Sequence, residues 1–131
     1  SLVMVDIDRF KAINDRWGHA TGDRVIQAVA GAMVEITREQ DVVGRLGGEE
    51  FLLILTETDG QGALASAERL RESIQNMDSV ASDDNQTVRF TISVGVTTYC
   101  RGDTTFAGML GRADKALYAA KNAGRNRVEA G

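Results

Sequence analysis

At 131 residues the chain fits one domain, long enough to bury roughly two thirds of its unfolded surface. It is 43% hydrophobic and 26% charged, a globular composition, with no apolar run near the ~20 residues of a membrane span and no signal-like basic flank before Val5. A net charge of −4 argues against broad electrostatic binding to nucleic acid but not against a phosphorylated ligand held by a metal ion and a few placed cations. The single cysteine, Cys100, excludes an internal disulfide and suits a reducing compartment.

Leu2-Val3-Met4-Val5 reads as a buried strand with no preceding turn or cap, a pattern that anticipates further sequence upstream. Asp8 then suits the N-cap of a helix in which Phe10, Ile13 and Trp17 share a face, and Gly18 ends it. A second helix is expected from about Gly22, with Val25, Ile26, Val29, Met33 and Ile36 on one side. Two extended runs, Val42 to Leu46 and Phe51 to Leu55, flank Gly47-Gly48, so a tight hairpin is expected there. Ala63, Ala67, Leu70, Ile74 and Met77 mark a third helix, and the acidic stretch Asp78 to Gln86 reads as a loop. Val88 to Tyr99 alternates as a long strand, with Phe90, Ile92, Val94 and Val96 on one face. A last helix, about Thr105 to Ala123, ends at Gly124, and Asn126 to Val128 suits a short final strand. This order predicts an α+β domain with helices on one face of a mostly antiparallel sheet.

Three groups carry chemistry. Asp6 ends the first strand, Glu49-Glu50 follow the glycine turn, and Lys121 and Arg125 close the last helix. If the first strand lies beside the hairpin, Asp6 and Glu49 converge at one end of the sheet. Close carboxylates repel, and a hard cation such as Mg²⁺ relieves the repulsion while also taking phosphate oxygens. Gly47 and Gly48 leave room for a base or phosphate against the backbone. Each feature also has an ordinary reading. Gly-Gly is a common turn, Asp6 could cap the next helix, Lys121 and Arg125 suit a helix C-terminus, and Arg45 with Glu49 suits a cross-strand pair.

Taken together, the chain resembles the GGDEF family, the diguanylate cyclases of bacterial signalling. The resemblance rests on Asp6-Ile7-Asp8-Arg9-Phe10-Lys11, Ile13-Asn14-Asp15, Gly18-His19 with Gly22-Asp23, Arg45-Leu46-Gly47-Gly48-Glu49-Glu50-Phe51 and Ser93-Val94-Gly95-Val96. It continues through Ala113-Asp114-Lys115-Ala116-Leu117-Tyr118-Ala119-Ala120-Lys121 to Gly124-Arg125-Asn126, in the family's order and over nearly the whole chain. It implies a ferredoxin-like, nucleotidyl-cyclase palm type of fold, and condensation of two GTP into cyclic di-GMP and two pyrophosphates across a homodimer. By position Asp6, Glu49 and the backbone carbonyl of Ile7 are the implied ligands of Mg²⁺ or Mn²⁺. Glu49 is also the implied base, with Glu50 in support. Asn14 and Asp23 are implied to read guanine, while Lys11, Lys121 and Arg125 hold phosphates and Gly47 and Gly48 admit the substrate. Trp17 and His19 read as packing residues.

Arg38 and Asp41 match the spacing of the family's product-inhibition site, which Arg69 would complete from a neighbouring subunit. The family's usual helix and Asp-x-Leu-Thr-Gly-Leu-like segment before the first strand are not in this chain, so a sheet face is expected to lack its usual cover. The resemblance further implies an upstream sensor domain and a cytoplasmic location, either free or as the cytoplasmic part of a membrane-anchored sensor. Two other readings compete: a catalytically silent cyclic di-GMP receptor using Arg38 and Asp41, and a two-metal nucleotidyl cyclase that uses ATP.

Overall fold

The computed structural model describes all residues from 1 to 131. In chain order the elements are β1 (Leu2–Ile7), α1 (Phe10–Trp17), α2 (His19–Ile36), β2 (Val42–Gly47), β3 (Glu50–Ile54), α3 (Gly60–Gln75), β4 (Ile92–Thr97), α4 (Phe106–Asn122) and β5 (Val128–Ala130). They form one sheet in the order β2-β3-β1-β4-β5, with β1 antiparallel to both neighbours and only β5 parallel to its partner, β4. The expected α+β architecture with a mostly antiparallel sheet is present.

β1 lies at the centre, and all six of its residues are buried. Alternate side chains of a strand point to opposite faces, and here both faces are apolar. Val3, Val5 and Ile7 join the larger core with Phe10, Val25, Val29, Leu70 and Ile74, which come from α1, α2 and α3. Leu2 and Met4 face the other way, onto Ala113 and Leu117 of α4. Helices therefore cover both faces of the sheet, not one as the chain order suggested. The uninterrupted apolar run of β1 is the sequence mark of this two-sided burial.

The same arrangement revises β4. All six of its residues are buried, because Ser93, Gly95 and Thr97 lie under α4 and do not face solvent. Gly95 is where helix and strand come closest: a Cβ there would strike the Ala113 carbonyl oxygen and the Leu117 nitrogen. The strand is also shorter than the expected Val88 to Tyr99. Its partner β1 ends at Ile7, opposite Ile92, so no ladder remains for the residues before it. Val88 instead bonds back to the Val80 carbonyl at 2.8 Å.

Helix starts differ from expectation for related reasons. The residue at the N-cap position of α1 is Arg9, in the left-handed region at φ 53°, and no side chain caps the helix. Asp8 is not the cap, because its carboxylate is engaged elsewhere. α2 begins at His19, three residues before the expected Gly22, since Gly18 at φ 86° turns the chain by itself between the two helices. β5 runs from Val128 to Ala130 and pairs with Val94 to Val96, two residues later than expected, because Asn126 is held by side chains in the loop before it. No helix is long and apolar enough to cross a membrane.

Replacing Gly95 by alanine is expected to force α4 off the sheet and to cost at least ~2 kcal/mol, as overpacking against backbone does. Urea denaturation monitored by circular dichroism measures this, and a loss below 0.5 kcal/mol (about a tenth of a small domain's stability) would contradict the contact.

Candidate active site

The carboxylates gather where β1 ends. The antiparallel register sets Asp6 directly opposite Glu50, and the Ile7 N–H donates to the Glu49 carbonyl at 3.2 Å. Asp6 continues the face of Leu2 and Met4, the α4 side, and there Lys121 reaches it with Nζ 2.8 Å from Oδ2. The Asp6 side chain is only 8% exposed. Burial raises its pKa above the usual 3.8; the Lys121 bond and charge oppose the rise, and the charges of Glu49 and Glu50 add to it. An acid so placed is short of positive charge, which the Lys121 ammonium supplies only in part. A shallow pocket of about 210 Å³ beside it is lined by Glu50, Lys121 and Tyr118 among others.

The hairpin carrying the two glutamates turns one residue later than expected. Gly47 pairs with Glu50, so the turn is Gly48-Glu49, after a bulge between Arg45 and Gly47. Gly47 and Gly48 have φ values of 153° and 51°, which side chains adopt only with strain, and a Cβ at either would meet no atom within 4 Å. The glycines thus shape the turn and leave open space above it. Arg45 does not pair with Glu49. Its Nε and Nη2 donate to the Gly48 carbonyl at 3.0 and 2.7 Å, bracing the turn from within.

Asn14 lies on α1 and Asp23 on α2. A Cβ on Gly22 would overlap the Asn14 side chain, so this glycine, the residue before Asp23, makes room for the Asn14 amide against α2. The Asn14 Oδ1 is buried with no hydrogen-bond partner in the protein, an arrangement that typically costs about 1–3 kcal/mol. Asp23 and Lys11 are exposed and form no ion pair. Lys11 lies in the first turn of α1, beside backbone N–H groups that no side chain caps.

Arg125 sits in a strained loop after α4. After α4, Gly124, Arg125 and Asn126 all have positive φ, at 117°, 65° and 47°. The Arg125 N–H closes the helix on the Ala120 carbonyl at 3.0 Å, as a glycine-terminated helix end does. Asp8 then holds the loop. Its carboxylate accepts from Thr91 Oγ1 at 2.7 Å, Ser93 Oγ at 2.6 Å and the Asn126 N–H at 3.0 Å. Sequence reasoning gave Asp8 a capping role and missed this one. The polar Thr91 and Ser93 in an otherwise apolar run were the available signal.

Arg38 and Asp41 lie elsewhere, before the start of β2, and Arg69 on α3, while the acidic hairpin lies at the end of β2. Six strand residues separate the two by roughly 20 Å. Asp41 accepts from the Arg38 N–H at 2.9 Å and from the Thr56 N–H at 3.0 Å, and these bonds, the Arg38 one foremost, lower its pKa. The Arg38 guanidinium is exposed and makes no hydrogen bond, and Arg69 donates to the Ile36 carbonyl at 3.2 Å within the same chain. Arg69 is thus beside Arg38 in one subunit.

A palm-type sheet with paired acids at the end of its central strand, a glycine turn beside them and a helix-borne amide and carboxylate behind defines a nucleotide-handling α+β domain. The chain belongs to the GGDEF family: the model for "Diguanylate cyclase, GGDEF domain" matches residues 1–127. Diguanylate cyclase A of Treponema denticola is 44% identical over 128 residues, covering 98% of this chain and 34% of that protein. Diguanylate cyclase DosC of Escherichia coli K12 is 38% identical over 129 residues, covering 98% and 28%. The chain thus spans about a third of the length of these relatives. Among solved structures, the GGDEF domain of DgcB from Caulobacter crescentus in complex with c-di-GMP superposes with a TM-score of 0.93 at 35% identity, covering 98% of this chain and 75% of that one. The active GGEEF domain of a diguanylate cyclase from Vibrio cholerae gives 0.90 at 34% identity, covering 98% and 80%.

Two substitutions test the acids. Asp6 has its folded pKa raised, so its ionised form destabilises the fold above that pKa, and the penalty fades as pH falls towards 3.8. Asp6→Asn is therefore expected to raise the melting temperature at pH 7 by roughly 2–5 °C, with the gain vanishing in acid; a lower melting temperature would show that the Lys121 bond outweighs burial. Asp8→Ala strands three donors and is expected to cost roughly 2–4 kcal/mol in chemical denaturation.

Proposed function

We propose that this domain condenses two GTP molecules into cyclic di-GMP with release of two pyrophosphates. The observation that carries the reading is Asp6, buried, short of positive charge, and flanked by Glu49 and Glu50. Carboxylate and carbonyl oxygens suit a hard divalent cation, Mg²⁺ or Mn²⁺, and the burial of Asp6 beside Glu49 and Glu50, with a lysine now paired to it, fits such a group. Asp6, Glu49 and the Ile7 carbonyl would hold it, and it would supply charge neutralisation for phosphate oxygens.

The residues then divide the work. The α1 N-terminus with Lys11, and Lys121 and Arg125 from beyond α4, bind the phosphates through free N–H groups and positive charge. Asn14 is only partly buried, so rotation of its amide brings the unsatisfied oxygen out to a base N–H. Asp23 accepts from the paired N1–H and N2–H donors of guanine, which adenine lacks. Glu49 accepts the proton of a ribose 3′-hydroxyl. That oxygen forms a bond to the α-phosphorus of the second GTP as the bond to its pyrophosphate breaks, and the same step with the two nucleotides' roles exchanged closes the ring and releases the second pyrophosphate.

One subunit presents one GTP, so a homodimer brings the two hydroxyls and two α-phosphates face to face. Arg38, Asp41 and Arg69 form the product-inhibitory site. The free Arg38 guanidinium matches the O6 and N7 edge of guanine, and the Caulobacter domain in complex with c-di-GMP supports product binding in this family. An upstream sensor domain in the full protein sets the pairing, and GTP consumption places the domain in the cytoplasm. SiaD of Pseudomonas aeruginosa, solved with its activator SiaC, is a similar protein with a protein partner.

A dimer-forming protein freed of bound nucleotide is expected to yield cyclic di-GMP from GTP and Mg²⁺, read by chromatography. Glu49→Gln is expected to abolish product, and Asp23→Ala to lower kcat/KM for GTP by about 10–100-fold. Specific activity should rise with enzyme concentration below the dimer dissociation constant. No product from the dimer, or an unaltered rate in Glu49→Gln, would overturn the reading.

A further inference from the structure

The largest cleft, about 630 Å³, lies on the other side of α1 from Asn14 and Lys11. Arg9, just before α1, and Arg16, on it, line the cleft together with Arg89 and Arg125. Four arginines and one carboxylate, Asp8, thus border one cleft in a chain whose net charge is −4. That carboxylate is already saturated by Thr91, Ser93 and the Asn126 N–H. Arg9, Arg16 and Arg125 have no acidic partner at all. Arg89 pairs with Asp78 at 2.6 Å, but both side chains are about two-thirds exposed, so solvent screens that pair and it is readily exchanged.

The backbone adds to this. Arg9 and Arg125 are both held at positive φ, on either side of the Asp8 network, a strain that ordinary surface arginines do not carry. Arg16 lies over the Trp17 ring, 4.5 Å from its centroid, which orders its guanidinium at the cleft wall. Three arginines without an acidic partner and one in a solvent-screened pair, along one open cleft, suit an anion with several oxygens at successive positions.

We infer that this cleft is a second anion site, distinct from the metal-side site, that takes a di- or triphosphate chain through Arg9, Arg16, Arg89 and Arg125. The ligand is free pyrophosphate or the phosphate tail of a nucleotide, which share this chemistry. The inference rests on the proposed function only in Arg125, which borders both sites and so couples them. A phosphate chain drawn towards Arg16 leaves the mouth of the substrate site, which gives the departing pyrophosphate a path across α1.

Trp17 is the chain's one tryptophan and lines the cleft, so its fluorescence reports occupancy directly. Inorganic pyrophosphate, tripolyphosphate and ATP are titrated without metal at constant ionic strength, with calorimetry in parallel. A saturable change in Trp17 emission is expected, weakened at least tenfold in the calorimetry of Arg16→Ala and Arg89→Ala and within twofold of the parent in Arg101→Ala, an exposed arginine outside the cleft. ATP binding more tightly than tripolyphosphate assigns the site to nucleotides, and the opposite order assigns it to free pyrophosphate. No saturable change, or a loss in Arg101→Ala as large as in the two cleft variants, overturns the inference. Turnover is not measured, so a failure of the cyclase reading would appear separately, as absent product from GTP.

Discussion

Two carboxylates two residues apart at the end of one strand meet opposite fates, and the rest of the molecule is arranged around that difference. Asp8 is buried but fully satisfied, with two hydroxyls and one backbone N–H around it. A buried charge is tolerable only on those terms. In return it ties the end of β1 to the start of β4 and to the loop after α4, so that Arg9 and Arg125 project from a fixed base. Asp6 has one lysine and two repelling glutamates. The fold holds it in a state that a bound cation would improve, which is the usual sign of a site kept for function at some cost in stability.

The central position of β1 makes both fates possible. A strand buried on both faces carries its final residues into low-dielectric surroundings, and strand alternation sends Asp6 to the α4 side, where Lys121 waits. Small residues opposite α4, Gly95 above all, let that helix lie close enough for the lysine to reach. Gly22 plays the same part between α1 and α2, where a larger residue would part Asn14 from Asp23. Packing and chemistry are therefore coupled through two glycines that touch no substrate.

α1 separates two kinds of surface. One side carries the amide and carboxylate that suit a base, and the other a cleft of guanidiniums that suits phosphate chains. The Arg38 region stands apart from both, at the opposite end of β2 from the acidic hairpin. Over roughly 20 Å, a ligand bound there would act on the hairpin only by biasing a larger arrangement of the domain.

Much of this was legible in the chain by itself. The apolar run of β1, the helical spacing of α2, α3 and α4, the glycine pair and the acids were enough to reach the family and the α+β sheet, because periodicity and motif spacing are local properties. What the linear order did not contain was which faces meet. That Asp8 is a bridge and not a cap depends on Thr91 and Ser93, more than eighty residues away. That Arg45 braces Gly48, that helices cover both sheet faces, and that β4 begins only where β1 can pair with it are likewise decisions of packing. So is the gathering of Arg9, Arg16, Arg89 and Arg125 around one cleft, since like charges distant in sequence carry no local signature of their meeting.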